Sequence, residues 1–153
     1  MLRMTKQADY GIVLMSHLAE DLDRLKTAGQ LADATQLPVP MVQKILKLLV
    51  KGQLLTSHRG AHGGYQLAKV PADIPLVEMI EALEGPIGLV ECSDSSPGQC
   101  SLEASCRIRS TWRRIDAAVR DALIAITLAD LAPGVLPPLI QLSVRPENNL
   151  TTS

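Results

Sequence analysis

Apolar residues recur at helical spacing in five stretches of this chain, and Gly and Pro collect where that period lapses. Tyr10, Val13, Leu14 and Leu18 predict a first amphipathic helix over about residues 5–22, with His17 at the margin of its stripe. Thr27-Ala28-Gly29-Gln30 has the form of a capping box, so AGQLADAT is expected to be a short helix burying Leu31 and Ala34. QLPVP breaks it, because a residue before proline is pushed out of the helical region. Pro40 then suits the first position of a helix running to Lys51. Val42, Ile45, Leu46 and Leu49 give that helix an inward face, and Gln43, Lys44, Lys47 and Lys51 an outward one.

Past Gly52, a suitable helix cap, QLLTSHR and YQLAKV predict two short strands joined by the glycine-rich turn GAHGG. Leu76, Met79, Ile80 and Leu83 mark another helix to Glu84, ended by Gly85-Pro86. The last and longest helix is expected at Ile108 to Ile126. There Ile108, Trp112, Ile115, Val119, Ala122 and Ile126 step by alternating fours and threes, the pattern of a coiled-coil seam. With only about three heptads the seam fits a dimer contact or a helix packed within the chain. Arg109, Arg113, Arg114, Asp116, Arg120 and Asp121 lie off it as a solvated surface.

This order of parts predicts a mainly α fold with a small β wing: a winged helix-turn-helix domain plus a long dimerisation helix. The expected divisions are 1–70 for the winged domain, 71–91 for a connecting helix and 92–106 for a cysteine loop. A dimerisation helix at 107–131 and an irregular tail at 132–153 complete them.

Charge gives the front a partner. Residues 1–70 carry nine Lys and Arg against five Asp and Glu, a balance of +4; residues 71–153 carry six against eleven, −5, and the two give the net −1. A basic front half suits a polyanion, so double-stranded DNA is the expected partner. Gln43 and Lys44 are candidates for base edges, and Thr5, Lys6, Lys47, Lys51, His58 and Arg59 for the backbone or the minor groove. Ala122–Leu142 carries only Asp130 as a charge, but its prolines preclude a spanning helix, and MLRMTKQADYG lacks a signal peptide's apolar core. A cytoplasmic protein without a membrane partner is expected. No arrangement of nucleophile, base or paired carboxylates suggests an enzyme or a small-molecule substrate.

All three cysteines fall in one stretch, Cys92-x7-Cys100-x5-Cys106, with SDSSPGQ between the first two. In a reducing compartment an odd set of clustered thiols points to soft-metal binding rather than disulfides. Fe–S clusters and zinc both fit, and each usually takes four protein ligands. A bare thiol redox switch is the alternative.

RMTKQADYG, HRGAHGGYQLAK, the three cysteines and CRIRSTW together resemble the bacterial winged-helix iron–sulfur regulators of the IscR and NsrR type. MLRMTKQADYGIVLM is most similar to members that control the SUF cluster-assembly operon. The resemblance spans residues 3 to about 131. It implies a homodimer through the 108–126 helix, expected to act on a pseudo-palindromic operator as a repressor, with activation the alternative. It also implies a [2Fe–2S] or [4Fe–4S] cluster on Cys92, Cys100 and Cys106. IscR-like members take a fourth ligand from a histidine three residues after the last cysteine, where this chain has Arg109. NsrR-like members use a carboxylate near the N-terminus of the other subunit, a position matched by Asp9. Glu91, Asp94 and Glu103 are nearer in sequence and stay open as ligands. An Fe–S carrier or electron-transfer module is the remaining reading, though it would need no basic recognition face.

Overall fold

The computed structural model describes residues 3–90 and 106–131. Expectations for Cys92, Cys100 and the segment between them, for Glu91, Asp94 and Glu103, and for the 132–153 tail lie outside the described residues. Within them the chain runs through α1 (Lys6–Ala19), α2 (Ala28–Thr35) and α3 (Val39–Lys51), then a hairpin of β1 (Leu55–His58) and β2 (Gly64–Leu67). A 3-10 turn (Pro71–Asp73), α4 (Leu76–Glu84), α5 (Arg109–Ile124) and a second 3-10 turn (Leu128–Leu131) follow. The mainly helical fold with a two-stranded wing is the one expected from the sequence.

α1 stops at Ala19, short of the expected residue 22, and its buried stripe is Ala8, Gly11, Leu14, Met15 and Leu18. Val13, assigned to the stripe by hydropathy, is exposed. Gly11 explains the rotation: a Cβ there would fall 2.3 Å from Leu83 Cδ1, so α4 packs directly on the α1 backbone. Leu14 and Leu18 are buried and Tyr10 packs against the core as expected, but a glycine carries no apolar signal, so periodicity misses Gly11 and places Val13 on the stripe.

In α2 both halves of the capping box form, Gln30 N–H donating to Thr27 Oγ1 at 3.2 Å and Thr27 N–H to Gln30 Oε1 at 2.9 Å. The helix buries Leu31 and Ala32 instead of Leu31 and Ala34. It ends at Gln36 in the left-handed region (φ 58). α3 begins one residue earlier than expected, with Pro38 as its cap and Pro40 second in the helix. Pro40 still occupies a position whose N–H would have no helical acceptor.

Gly52 does cap α3, but at φ −75, where any residue is comfortable; Gln53 takes the left-handed turn. Glycine is needed at 52 because a Cβ would lie 2.6 Å from Ala82 Cβ on α4. α4 therefore meets both α1 and α3 at backbone range.

The core gathers Leu14, Met15, Leu18, Leu31, Ile45, Leu46, Leu49, Leu54, Ile74, Met79 and Leu128, with Val42 completing the inward face of α3. Leu128 belongs to the chain beyond α5. It is brought in by Leu76 N–H to Ile126 O at 2.7 Å and Leu128 N–H to Ile74 O at 2.8 Å. No described helix is long and apolar enough to cross a membrane.

The expected α5 seam divides. Trp112, Val119 and Ile126 are half-buried, and Ile126 packs on the core together with Leu123. Ile108 and Ile115, one heptad apart, are 56% and 39% exposed, and Ala122 one heptad further is exposed too. Among the described residues, one apolar row packs within the chain and the other is exposed.

The α3–α4 contact generates a stability prediction. Gly52→Ala should destabilise the protein by about 1–3 kcal/mol in urea unfolding, the usual cost of overpacking. In the Gly52→Ala, Ala82→Gly pair the total loss should be smaller than the sum of the two single losses.

Candidate nucleic-acid interface and sensor segment

α2, the turn at Gln36–Pro38 and α3 form a helix-turn-helix, with α3 as the second helix. Its inward residues are fully buried, which fixes its rotation and leaves Gln43, Lys44, Lys47 and Lys51 exposed in one row. These four, with Pro40 and Leu48, line a shallow groove of ≈ 360 Å³. The sequence-predicted reading residues on α3 are thus brought together on one surface.

The wing is held rigidly against this unit. β1 and β2 pair antiparallel from Leu55↔Leu67 to His58↔Gly64. β2 is also bonded on its other side, through Tyr65 N–H to Lys26 O at 2.9 Å and Lys26 N–H to Tyr65 O at 3.1 Å. Lys26 stands immediately before the α2 cap, and its ammonium donates to His17 O and lies 3.7 Å from Glu20. By sequence alone this lysine belongs to a charged connection; nothing in local periodicity marks a single-residue bridge. Two glycines make the pairing possible. At Gly63 a Cβ would meet His58 O at 2.2 Å, and at Gly64 it would meet Lys26 O at 2.9 Å.

His58 and Arg59 are exposed at the wing's mouth. With Thr27, Ala28, Ser57 and Tyr65 they line an open cleft of ≈ 440 Å³ between the wing and the N-terminus of α2. The helix dipole adds positive potential to the same place as Arg59, an arrangement that favours phosphate. Thr27 and Ala28 are not among the sequence candidates, because their contribution comes from helix direction, not side-chain type.

Thr5 sits elsewhere. Its hydroxyl accepts from Ala8 N–H at 3.2 Å as the α1 cap and donates to the Glu84 carboxylate. Gln7 Nε2 donates to Leu83 O at 2.6 Å. The start of α1 is therefore fastened to the end of α4, where the chain leaves for the cysteines. Lys6 is exposed at the first position of α1. Thr5 and Ala8 line a mainly apolar groove with residues 84–89, Val119 and Leu123. Asp9, in the first turn of α1, is exposed, and its carboxylate has no partner among the described residues.

α5 is tied to the same region. Asp116 Oδ1 accepts from Leu89 N–H at 3.0 Å, and Arg120 forms a two-pronged ion pair with Glu81, the second contact at 3.3 Å. The Glu81 hydrogen bond and charge raise the Arg120 pKa above its ordinary value. These two α5 residues are anchors to α4 and its extension, not simply the solvated surface the sequence suggests. Cys106 is half-buried just ahead of α5. Both flanks of the cysteine stretch are thus fixed on the α4–α5 pair. Among the described residues no three His, Cys, Asp or Glu gather as a metal site.

The family model described as Rrf2, iron-dependent transcriptional regulator, matches residues 4–134. The protein rrf2 of Nitratidesulfovibrio vulgaris is 32% identical over 131 residues, 85% of this chain and 87% of that protein. The structure of CymR, the global cysteine regulator of B. subtilis, superposes with a TM-score of 0.67 at 31% identity, covering 86% of this chain and 97% of that one. That of T. potens IscR gives 0.63 at 28% identity, covering 85% of each.

The exposed row on α3 generates a salt prediction. If Lys47 neutralises a phosphate, Lys47→Ala lowers the slope of log K against log salt by about 0.9 for each protomer bound. An unchanged slope would remove Lys47 from the interface.

Proposed function

The chain belongs to the Rrf2 family of iron-dependent transcriptional regulators, DNA-binding proteins and not enzymes, and from that premise we propose that it senses iron–sulfur supply through a cluster of its own. The observation that supports the reading is how the described flanks of the cysteine stretch are held. Before it, the α4 terminus is fastened to α1; after it, Cys106 leads into a helix fastened to α4.

The donor chemistry fits a cluster. Cys92, Cys100 and Cys106 supply soft thiolates, and half-burial of Cys106 shields its part of the site from bulk water. Asp9 of the partner subunit is the fourth ligand in this reading, supported by the exposed, unpaired carboxylate on α1. A hard oxygen is a weak partner for iron in a thiolate cluster and makes the site labile, which suits a sensor. The bound cluster would supply reactivity toward oxidants and nitric oxide; the protein's part is to hold it between the reading domain and α5.

The exposed row Ile108, Ile115 and Ala122 supports a homodimer through α5. Two α3 helices then address successive major grooves of a pseudo-palindromic operator, roughly 34 Å apart. Genes for Fe–S assembly of the SUF type, under repression, are the proposed targets.

A second reading has one observation behind it. A cysteine regulator shares this fold as closely as an IscR does, so the fold alone does not choose the effector. The thiols would then act as a zinc site or a redox switch. The electron-carrier reading finds no support in a family of regulators.

Anaerobic purification with iron, acid-labile sulfide and zinc counted per chain decides between the two. Iron and sulfide in equal amounts are expected, with Cys106→Ala abolishing both. Zinc without sulfide, or no metal, would overturn the cluster. A second expected outcome concerns Asp9→Ala, which should speed cluster loss in air while leaving the urea midpoint of the apo protein nearly unchanged.

A further inference from the structure

The first turn of α3 differs in chemistry from the rest of its outward face. Val39 is 41% exposed, Met41 is 39% exposed, and Pro40 between them is exposed as well. Beyond this turn the exposed α3 residues are Gln43, Lys44, Lys47 and Lys51. The apolar positions of α3 that are exposed rather than half-buried are thus those at the end that leads into the groove in helix-turn-helix proteins.

This turn also has almost nothing with which to hydrogen-bond. Pro38, Val39, Pro40 and Met41 carry no polar side-chain group beyond a thioether. Pro38 gives no side-chain cap, and its carbonyl already accepts from Met41 N–H at 3.0 Å and Val42 N–H at 3.1 Å. Pro40 has no N–H to offer. The two prolines also fix the backbone, so presenting the turn costs little conformational entropy.

The major groove displays one apolar feature, the C5 methyl group of thymine. We propose that Val39 and Met41 read thymine methyl groups in each half-site, while Gln43 and Lys44, one turn further on, take the hydrogen-bonding edges. The inference rests on the DNA-binding reading above and adds to it the bases that are selected. Pro40, which stands between Val39 and Met41, lines the groove with Gln43 and Lys44, so the polar row begins at the apolar turn. Met41 is unbranched and adaptable, and Val39 is short and stiff; the two suit methyl groups at different depths.

The operator sequence emerges from the test itself. The full-length protein, in whichever cluster state binds more tightly, selects its preferred duplex from a random-sequence pool. Affinities are then measured at fixed salt for that duplex and for versions in which each thymine in turn is replaced by deoxyuracil, which removes only the methyl. At least one position per half-site should lose about fourfold in affinity, the worth of one buried methyl-sized group. That loss should vanish in Met41→Ala or Val39→Ala, while the salt slope of either variant stays that of the unsubstituted protein. Equal binding to every deoxyuracil duplex, or a loss that persists in both variants, would overturn the proposal. Failure to select any duplex would instead overturn the DNA-binding reading on which it rests.

Discussion

The structure depends on how closely α4 can approach two other helices. α4 lies on α1 over Gly11 and on α3 over Gly52, and at both places the first carbon of any side chain would collide with it. Close approach converts helices that differ in role into one rigid body: α1 and α3 on the DNA-reading side, α4 on the side that leads to the cysteines. Leu83, Met79 and Leu76 fill the space between, and Leu128, from beyond α5, closes the same core. A displacement of α4 therefore cannot be absorbed locally, since packed interiors leave no slack for it.

Polar contacts reinforce the same junction at its edge. Thr5 to Glu84 and Gln7 to the Leu83 carbonyl hold the end of α4 to the start of α1, and Arg120 to Glu81 and Asp116 to Leu89 N–H hold α5 to α4. The exposed ion pair contributes little to stability. Its value lies in register: it fixes which turn of α5 faces α4, and so which apolar row, Ile108 and Ile115, is turned outward. On the proposed reading, the cysteines sit where a change in their ligation pulls on the fastened ends of α1, α4 and α5 together. The reading head and the dimer helix would then move as coupled parts.

Much of this is legible from residue order alone. The capping box at Thr27 and Gln30, the inward face of α3 and the glycine-rich wing are local signals, and each appears where its residues predict. In α1 hydropathy finds Leu14, Leu18 and Tyr10 but adds exposed Val13, because Gly11, the closest packing position, carries no apolar signal. Ala32 rather than Ala34 is buried because two turns of helix leave its rotation to the neighbours it packs on. The split of the α5 seam, the Lys26 bridge to Tyr65 and the α2 dipole beside Arg59 depend on elements distant in sequence, and no periodicity within one element encodes them. The cysteine spacing announces soft-ligand chemistry, while the choice between cluster and zinc depends on geometry that spacing does not specify.

The central claim is that the state of the cysteine site sets the affinity of the reading head. Its most direct test compares cluster-loaded and cluster-free protein, prepared anaerobically, for binding to one selected duplex at one salt concentration. Coupling through the α1–α4–α5 junction predicts affinities that differ by about 5- to 150-fold, the usual range of allosteric linkage. Equal affinities would contradict it, leaving a DNA-binding protein whose thiols do not govern its grip.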